Sequence, residues 1–224
     1  MSKIKFSEKD LKRIAESVKS AEKKTSGEIS VAFIKESNDY AKYELLFAII
    51  SGFIYTGLIM LFRSPTESLI KNLFWDFSTT HLILFYGLSP FVIITLFYLI
   101  ANIPVVDRII IPKKKMEKNV KERASRYFIE AGISNTRDRT GILIFLSFLE
   151  RRVVLLADIG INSKVFSERS PEIISNITSG IKTGQTVGKL IKSIELCGEL
   201  ISHDVPIKPD DTNELKDDVT ILEK

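Results

Sequence analysis

Two stretches of this sequence carry no charge, and they limit the available folds more than any other feature. The first is "LLFAIISGFIYTGLIMLF", Leu45 to Phe62. The second is "LILFYGLSPFVIITLFYLIANIPVV", Leu82 to Val106, preceded by His81. A helix needs about 18–20 apolar residues to cross roughly 30 Å of hydrocarbon, and both runs reach that length without a polar face. Two transmembrane helices are expected, at about 45–62 and 82–103, within a hairpin over 41–106. Pro90 lies inside the second span, where membrane helices tolerate it. The alternative is a pair of buried core helices. The rest of the chain is rich in Lys, Glu, Arg and Asp, so its overall 27% charged and 45% hydrophobic content averages two different regions.

The flanks of the hairpin differ in charge. "DRIIIPKKKMEKNVKERASR" has eight Lys/Arg against three Asp/Glu, whereas Arg63 to His81 has two of each. By the positive-inside rule, the flanks and both termini face the cytoplasm and the short connector faces out. The connector holds "SLIKNLFWDF", whose Leu69, Leu73, Phe74 and Trp75 suit the membrane interface. The run Lys113, Lys114, Lys115 is read as a contact for anionic lipid headgroups beside the second span. A nucleic-acid partner is not expected. "MSKIKFSEKDLKRI" has no apolar core of the signal-peptide kind, so no cleavable signal is expected. An integral protein of a bacterial plasma membrane is the expected localisation. The single cysteine, Cys197, excludes an internal disulfide and falls on the apolar face of a late helix.

The remaining segments alternate helix and strand. Ser7 is placed to cap a helix, with Asp10 in its first turn and Phe6 positioned to staple onto Leu11. Leu11, Ile14, Ala15, Val18 and Ala21 recur at helical spacing. "EISVAFI" reads as a strand with Ile29, Val31 and Phe33 on one face. Beyond the hairpin, Met116, Val120, Ala124, Tyr127, Phe128 and Ala131 mark a helix that Gly132 closes. "GILIFLSFL" and "RVVLLAD" read as strands buried on both faces, joined by a tight turn, and such strands need helices on both sides. "SPEIISNITSGI" supplies one helix, and Val187, Leu190, Ile191, Ile194, Cys197 and Ile201 mark the last. The expected core includes Leu143, Phe145, Val154 and Leu156. The expected organisation is an α/β domain, 1–40 with 107–203, interrupted by the hairpin. A domain split in this way closes only if the hairpin returns the chain to its starting side. The tail from Asp204 has seven acids against three bases and reads as largely disordered.

The blocks "AEKKTSGEISVAFI", "ASRYFIEAGISNT", "RTGILIFLSFLERRVVLLADIGIN", "GKLIKSIELCGELISHDVP" and "PDDTNEL" occur in this order. Together they resemble the TPM domain family, named for a thylakoid lumen protein, a photosystem II repair protein and a worm modulator of acetylcholine receptors. The "TSGEI" signature resembles its bacterial branch. The resemblance covers about 6–36 and 115–216. It implies a central sheet flanked by helices, with strand 28–34 parallel to 141–149. Some relatives are described as acid phosphatases, some bind calcium or other divalent ions, and others act as accessory factors for membrane complexes. "SERSPEII" lacks a Trp common in the family, Val205 replaces a frequent Phe before Pro206, and an inserted hairpin is not part of the common pattern.

Candidate site residues follow from the strand arrangement. Asp138 precedes strand 141–149 and Asp158 ends strand 152–158, so antiparallel pairing puts both at one edge. Glu28 joins them if the first strand is parallel, as the resemblance implies. Glu28, Asp138 and Asp158 are thus candidate ligands for a hard cation, Ca²⁺ or Mg²⁺. Arg137, Arg139 and Thr140 in the same loop are candidates for binding an anion such as phosphate. The structural alternative has Asp138 capping a turn, Asp158 paired with Arg137 or Arg139, and Glu28 capping a strand. The chain has only two histidines, His81 and His203, and lacks a nucleophile elbow, a P-loop and a metal-spaced His/Cys set. An accessory or scaffolding factor for a membrane protein complex is the expected function. A divalent-ion-dependent phosphatase acting on a phosphomonoester is the alternative.

Overall fold

The computed structural model describes residues 6–209 and 212–223; the termini, and Asp210 and Asp211 of the "PDDTNEL" block, lie outside the described residues. The chain divides into two compact units, Met1–Asn38 with Lys114–Lys224, and Asp39–Lys113.

The larger unit is built on a four-stranded mixed sheet. Its strands are β1 (Ile29–Ile34), β2 (Ile142–Ser147), β3 (Arg152–Ala157) and β4 (Thr220–Leu222), in the order β3-β2-β1-β4. β1 pairs parallel with β2, Ile29 opposite Ile142, and β2 pairs antiparallel with β3, Ile142 opposite Ala157. Every residue of β1 and β2 is buried, because both strands are central and covered on both faces. β3 is different: Val153 and Leu155 are buried while the other four residues are partly exposed, since it is an edge strand. Of the two runs expected to be buried on both faces, β2 is and β3 is not.

On one face lie α1 (Glu8–Glu22), α7 (Ser163–Thr183) and α8 (Thr186–Asp204). Ile14, Val18, Ile173, Ile177, Leu190, Ile194, Cys197 and Ile201 pack there with Ile29, Val31, Phe33, Ile142, Ile144 and Leu146. On the other face is α6 (Lys113–Glu130). Val120, Ala124, Tyr127 and Ile133 pack there with Ala32, Ile34, Leu143 and Phe145, flanked by Val154 and Leu156. The alternation of side chains along a strand divides the expected core residues between these two layers. No residue of either core comes from 39–113.

Local signals explain several boundaries. Ser7 and Asp10 form a reciprocal capping box on α1: Ser7 Oγ accepts from the Asp10 amide at 3.1 Å, and Asp10 accepts from the Ser7 amide at 3.2 Å. The Phe6 ring crosses to Phe33 (4.8 Å between centroids) and Phe148 (5.7 Å), so it anchors the helix start to the sheet. Gly132, at φ 72°, follows α6 in the left-handed conformation. α7 begins at Ser163 rather than Ser170, because Asn162 caps it by accepting from the amides of Lys164 and Val165.

The tail corrects an expectation. Thr220–Leu222 forms β4, parallel to β1, with Ile221 opposite Phe33. Acidic composition pointed to disorder, but an edge strand is held by main-chain hydrogen bonds and needs few apolar side chains. Leu215 and Leu222 supply these on the α6 face and Val219 on the other.

The smaller unit holds α2 (Ala41–Leu61), α3 (Arg63–Leu73), α4 (Thr79–Ala101) and α5 (Pro104–Ile110). α2 and α4 pack side by side. Gly52 makes this possible: an added Cβ would fall 2.4 Å from Ile94 Cγ1. Both helices are long and apolar enough to cross a membrane, at 21 and 23 residues. Ser51, Thr56 and Thr95 turn their hydroxyls back to the carbonyls of Phe47, Gly52 and Phe91, which keeps those groups satisfied without water. Tyr86 Oη and Ser89 Oγ are shielded and find no hydrogen-bond partner among the described residues.

Candidate functional site

The register fixes which residues meet at the start of β1 and β2. The Ile142 amide donates to Glu28 O at 2.8 Å, and the Asp158 amide donates to Gly141 O at 2.9 Å. Glu28, Gly141 and Asp158 therefore stand side by side at one sheet edge. The loop 136–140 folds over them. The Thr140 amide donates to Thr136 Oγ1, and Arg139 takes a left-handed conformation at φ 57°. Gly160 seals the arrangement. Its amide donates to Arg139 O at 2.8 Å, and an added Cβ would lie 2.4 Å from Asp138 O. A glycine at 160 is required by this approach of backbone to backbone.

Each predicted carboxylate has its own partner. Asp158 is 6% exposed, and both its oxygens accept from the Arg139 guanidinium, at 2.6 and 3.0 Å. It also accepts from the Ile159 amide at 2.8 Å. Burial alone would raise the Asp158 carboxyl; the Arg139 and Ile159 hydrogen bonds and the guanidinium charge outweigh it and hold the group below its ordinary value. Asp138 is held below its ordinary value chiefly by Lys208, whose Nζ lies 2.8 Å from both its oxygens. Glu28 is buried, and its Oε1 accepts from the Glu214 amide at 3.1 Å. Glu214 in turn accepts from the Arg137 amide at 2.9 Å.

The edge thus brings Glu28 and Asp158 together, while Asp138 turns to the tail lysine. Among the described residues no group of three or more His, Cys, Asp or Glu could hold a metal ion. A cation here would have to displace Arg139 from Asp158 and Lys208 from Asp138. The candidate anion binders are also engaged. The Arg139 guanidinium is committed to Asp158, and Thr140 is 3% exposed with its hydroxyl donating to Ser26 O. Beside Asp158 a shallow cleft opens along residues 157–163 and Phe166.

A second cluster lies at the opposite sheet edge. Glu150, 5% exposed, accepts from the Ser37 amide at 2.9 Å and from the Ser37 and Ser147 hydroxyls. It ties the exit of β1 to the end of β2. The sequence shows Glu150 only as part of the charged turn Glu150-Arg151-Arg152, because its partner Ser37 lies far away in the chain. Ser26 and Lys208 escaped sequence reasoning for the same reason: the Lys208 amide donates to Ser26 Oγ at 2.8 Å, which lays the tail along the edge.

These features define an α/β protein with a mixed sheet flanked by helices and a pair of long apolar helices inserted between β1 and β2. The NMR structure of BA42 protein from the psychrophilic bacterium Bizionia argentinensis is similar in fold, at a TM-score of 0.57 and 20% identity over 99% of each chain. No family model and no curated protein matches the chain.

Proposed function

We propose that this protein is a membrane-anchored accessory factor. Its TPM-type domain stands on the cytoplasmic face of a bacterial plasma membrane and scaffolds a membrane protein complex. One observation carries the reading. The larger unit closes both its cores without residues 39–113, whereas α2 and α4 leave large apolar side chains uncovered, Phe53 at 75%, Leu61 at 76% and Phe91 at 67% exposure. Apolar surface of this extent needs a covering phase, and a bilayer supplies one for helices of this length.

Three details support the reading. Lys113, Lys114 and Lys115 are exposed at the N-terminus of α6, where the helix dipole opposes them and anionic headgroups would offset it. The resembling blocks fall at structurally meaningful points: "TSGEI" at the entry to β1 and "ADIGIN" at the exit from β3. The pairing of Arg139 with Asp158 favours a binding surface over a phosphatase, since it occupies one of the two arginines expected to hold a phosphate.

Purification of the tagged full chain from detergent-extracted membranes tests this, with a 39–113 deletion as control. A membrane protein should accompany the full chain in constant ratio. Recovery of none above background, together with phosphomonoester turnover abolished by Asp158→Asn, would replace the scaffold with the enzyme. A reporter active only in the periplasm should work when fused within 66–76 and stay silent when fused after Lys224. The reverse pattern would put the domain outside.

A further inference from the structure

Between the two apolar helices the chain does not form a plain loop. It forms α3, followed by Phe74 and Trp75, and these leave an apolar surface that none of the described residues covers. Leu69 is 63%, Leu73 72% and Trp75 fully exposed, and Phe62 and Phe74 add to them. At 100° per residue, Phe62, Leu69 and Leu73 share one stripe. Arg63, Glu67 and Lys71 recur at four-residue spacing on another, with Arg63 Nε 2.6 Å from Glu67. Ile70 is buried within the unit. The helix therefore has one side turned inward, one charged and one apolar without a partner.

The lengths of its neighbours say what covers that third side. α2 has 21 residues and α4 has 23, about 31 and 34 Å at 1.5 Å per residue, which matches a hydrocarbon core of roughly 30 Å with little to spare. Given the proposed membrane anchor, the chain leaves α2 at Phe62 and enters α4 at Thr79 on the same bilayer surface. We propose that α3 with Phe74 and Trp75 is an interfacial lipid-binding element. It lies flat in the headgroup region of the leaflet opposite the α/β domain, with Leu69, Leu73 and Trp75 inserted. This rests on the membrane reading of α2 and α4 and adds a second contact with lipid. Its occupant is the boundary between headgroups and acyl chains, which accepts an amphipathic helix to a depth of about 5–10 Å. Indole rings concentrate at that level.

Trp75 is the only tryptophan in the chain, so tryptophan emission, excited at wavelengths where tyrosine does not absorb, reports on this element alone. The full-length protein would be reconstituted into phosphatidylcholine–phosphatidylglycerol vesicles and floated on a density gradient after an alkaline wash. Floated samples would be read for emission wavelength and for quenching by lipids carrying a nitroxide near the headgroup or near the chain end. The expected result is blue-shifted emission, weak quenching by aqueous iodide, and at least about twofold stronger quenching by the shallow label, as for a ring at headgroup level. The double variant Leu69→Glu, Leu73→Glu should still float, but with red-shifted emission and restored iodide quenching. Flotation with water-like emission and no lipid quenching would overturn the interfacial assignment and leave the anchor standing. Stronger quenching by the deep label would overturn it too. Failure of the unmodified protein to float would sink the anchor, and this element with it.

Discussion

Excision of residues 39–113 is the most exacting perturbation for this architecture. Both cores of the larger unit draw only on residues before 39 or after 113. Replacing the segment with a Gly/Ser linker therefore removes no core side chain. A flexible linker of about 12 residues carries a closure term of roughly (3/2)RT ln n, ~2.2 kcal/mol, against ~3.8 kcal/mol for a flexible loop of about 75 residues. Neither value is large beside a domain stability of about 5–15 kcal/mol. The shortened protein should be soluble without detergent and unfold in one cooperative step in urea, followed by circular dichroism. A control locates the core. Phe33 is fully buried between the rings of Phe6 and Phe148, so Phe33→Ala in the shortened protein should lose about 3–5 kcal/mol. With a slope of about 1–3 kcal/mol per molar urea, the midpoint should fall by roughly 2 M. An aggregated product, or one that binds a hydrophobic dye and melts without a transition, would refute the claim that the larger unit is self-sufficient. So would a Phe33→Ala midpoint equal to the parent's.

Three further outcomes follow from single residues. Gly160→Ala should destabilise by about 1–3 kcal/mol through the collision with Asp138 O and Arg139 O, measured by the same urea titration; a neutral result would mean that the 136–140 loop moves aside. The Asp158 carboxyl is held below its ordinary value, so its contribution is present above an unfolded pKa of about 3.9 and is lost as pH falls through the lower folded value. The stability gap between the parent and Asp158→Asn should thus be constant near neutrality and close only below about pH 4; a gap that closes around pH 6 would contradict the assigned cause. Cys197 is buried, and burial pushes its thiol up to about 12, so a thiol reagent should label the native protein negligibly and the unfolded protein fully. Rapid native labelling would show that α8 opens.

What could be read in the sequence depended on how local the cause was. α2 and α4 are visible because each holds a long run of mostly apolar residues without a charge, which needs no partner to interpret. The Ser7 cap with Asp10 in the first turn spans four residues and is equally plain. β2 announces itself by continuous apolar residues, but the same pattern in β3 misled, because edge position depends on which strands pair. At the candidate site, the shared edge of Glu28 and Asp158 was expected, with strand direction supplied by resemblance. The Arg139–Asp158 pair was one of the two readings open at that point, and the structure bears it out; the choice of Arg139 over Arg137 turns on the left-handed backbone at Arg139 and the close approach of Gly160. Glu150, Lys208 and Glu214 were missed because their partners, Ser37, Asp138 and Arg137, lie tens of residues away. Val219-Thr220-Ile221-Leu222 is an uncharged, mostly β-branched run in the acidic tail, but it is too short to outweigh the composition around it.

The insertion point of the hairpin also shapes how the protein is made. β1 is central and apolar at every position but Ser30, and its hydrogen-bonding neighbours are β2 and β4. Both emerge from the ribosome after the hairpin. At about 5–20 residues per second, β1 waits roughly 5–25 s between its own synthesis and that of β2. During that interval the nascent chain carries an apolar strand with both edges open, the state most prone to pairing with a stranger. Under the proposed membrane anchoring, the same interval is when α2 and α4 are handed to the insertion machinery. Membrane insertion and sheet completion are therefore ordered in time. On that proposal, any delay in insertion lengthens the exposure of β1, so faults in insertion should surface as aggregation of the larger unit.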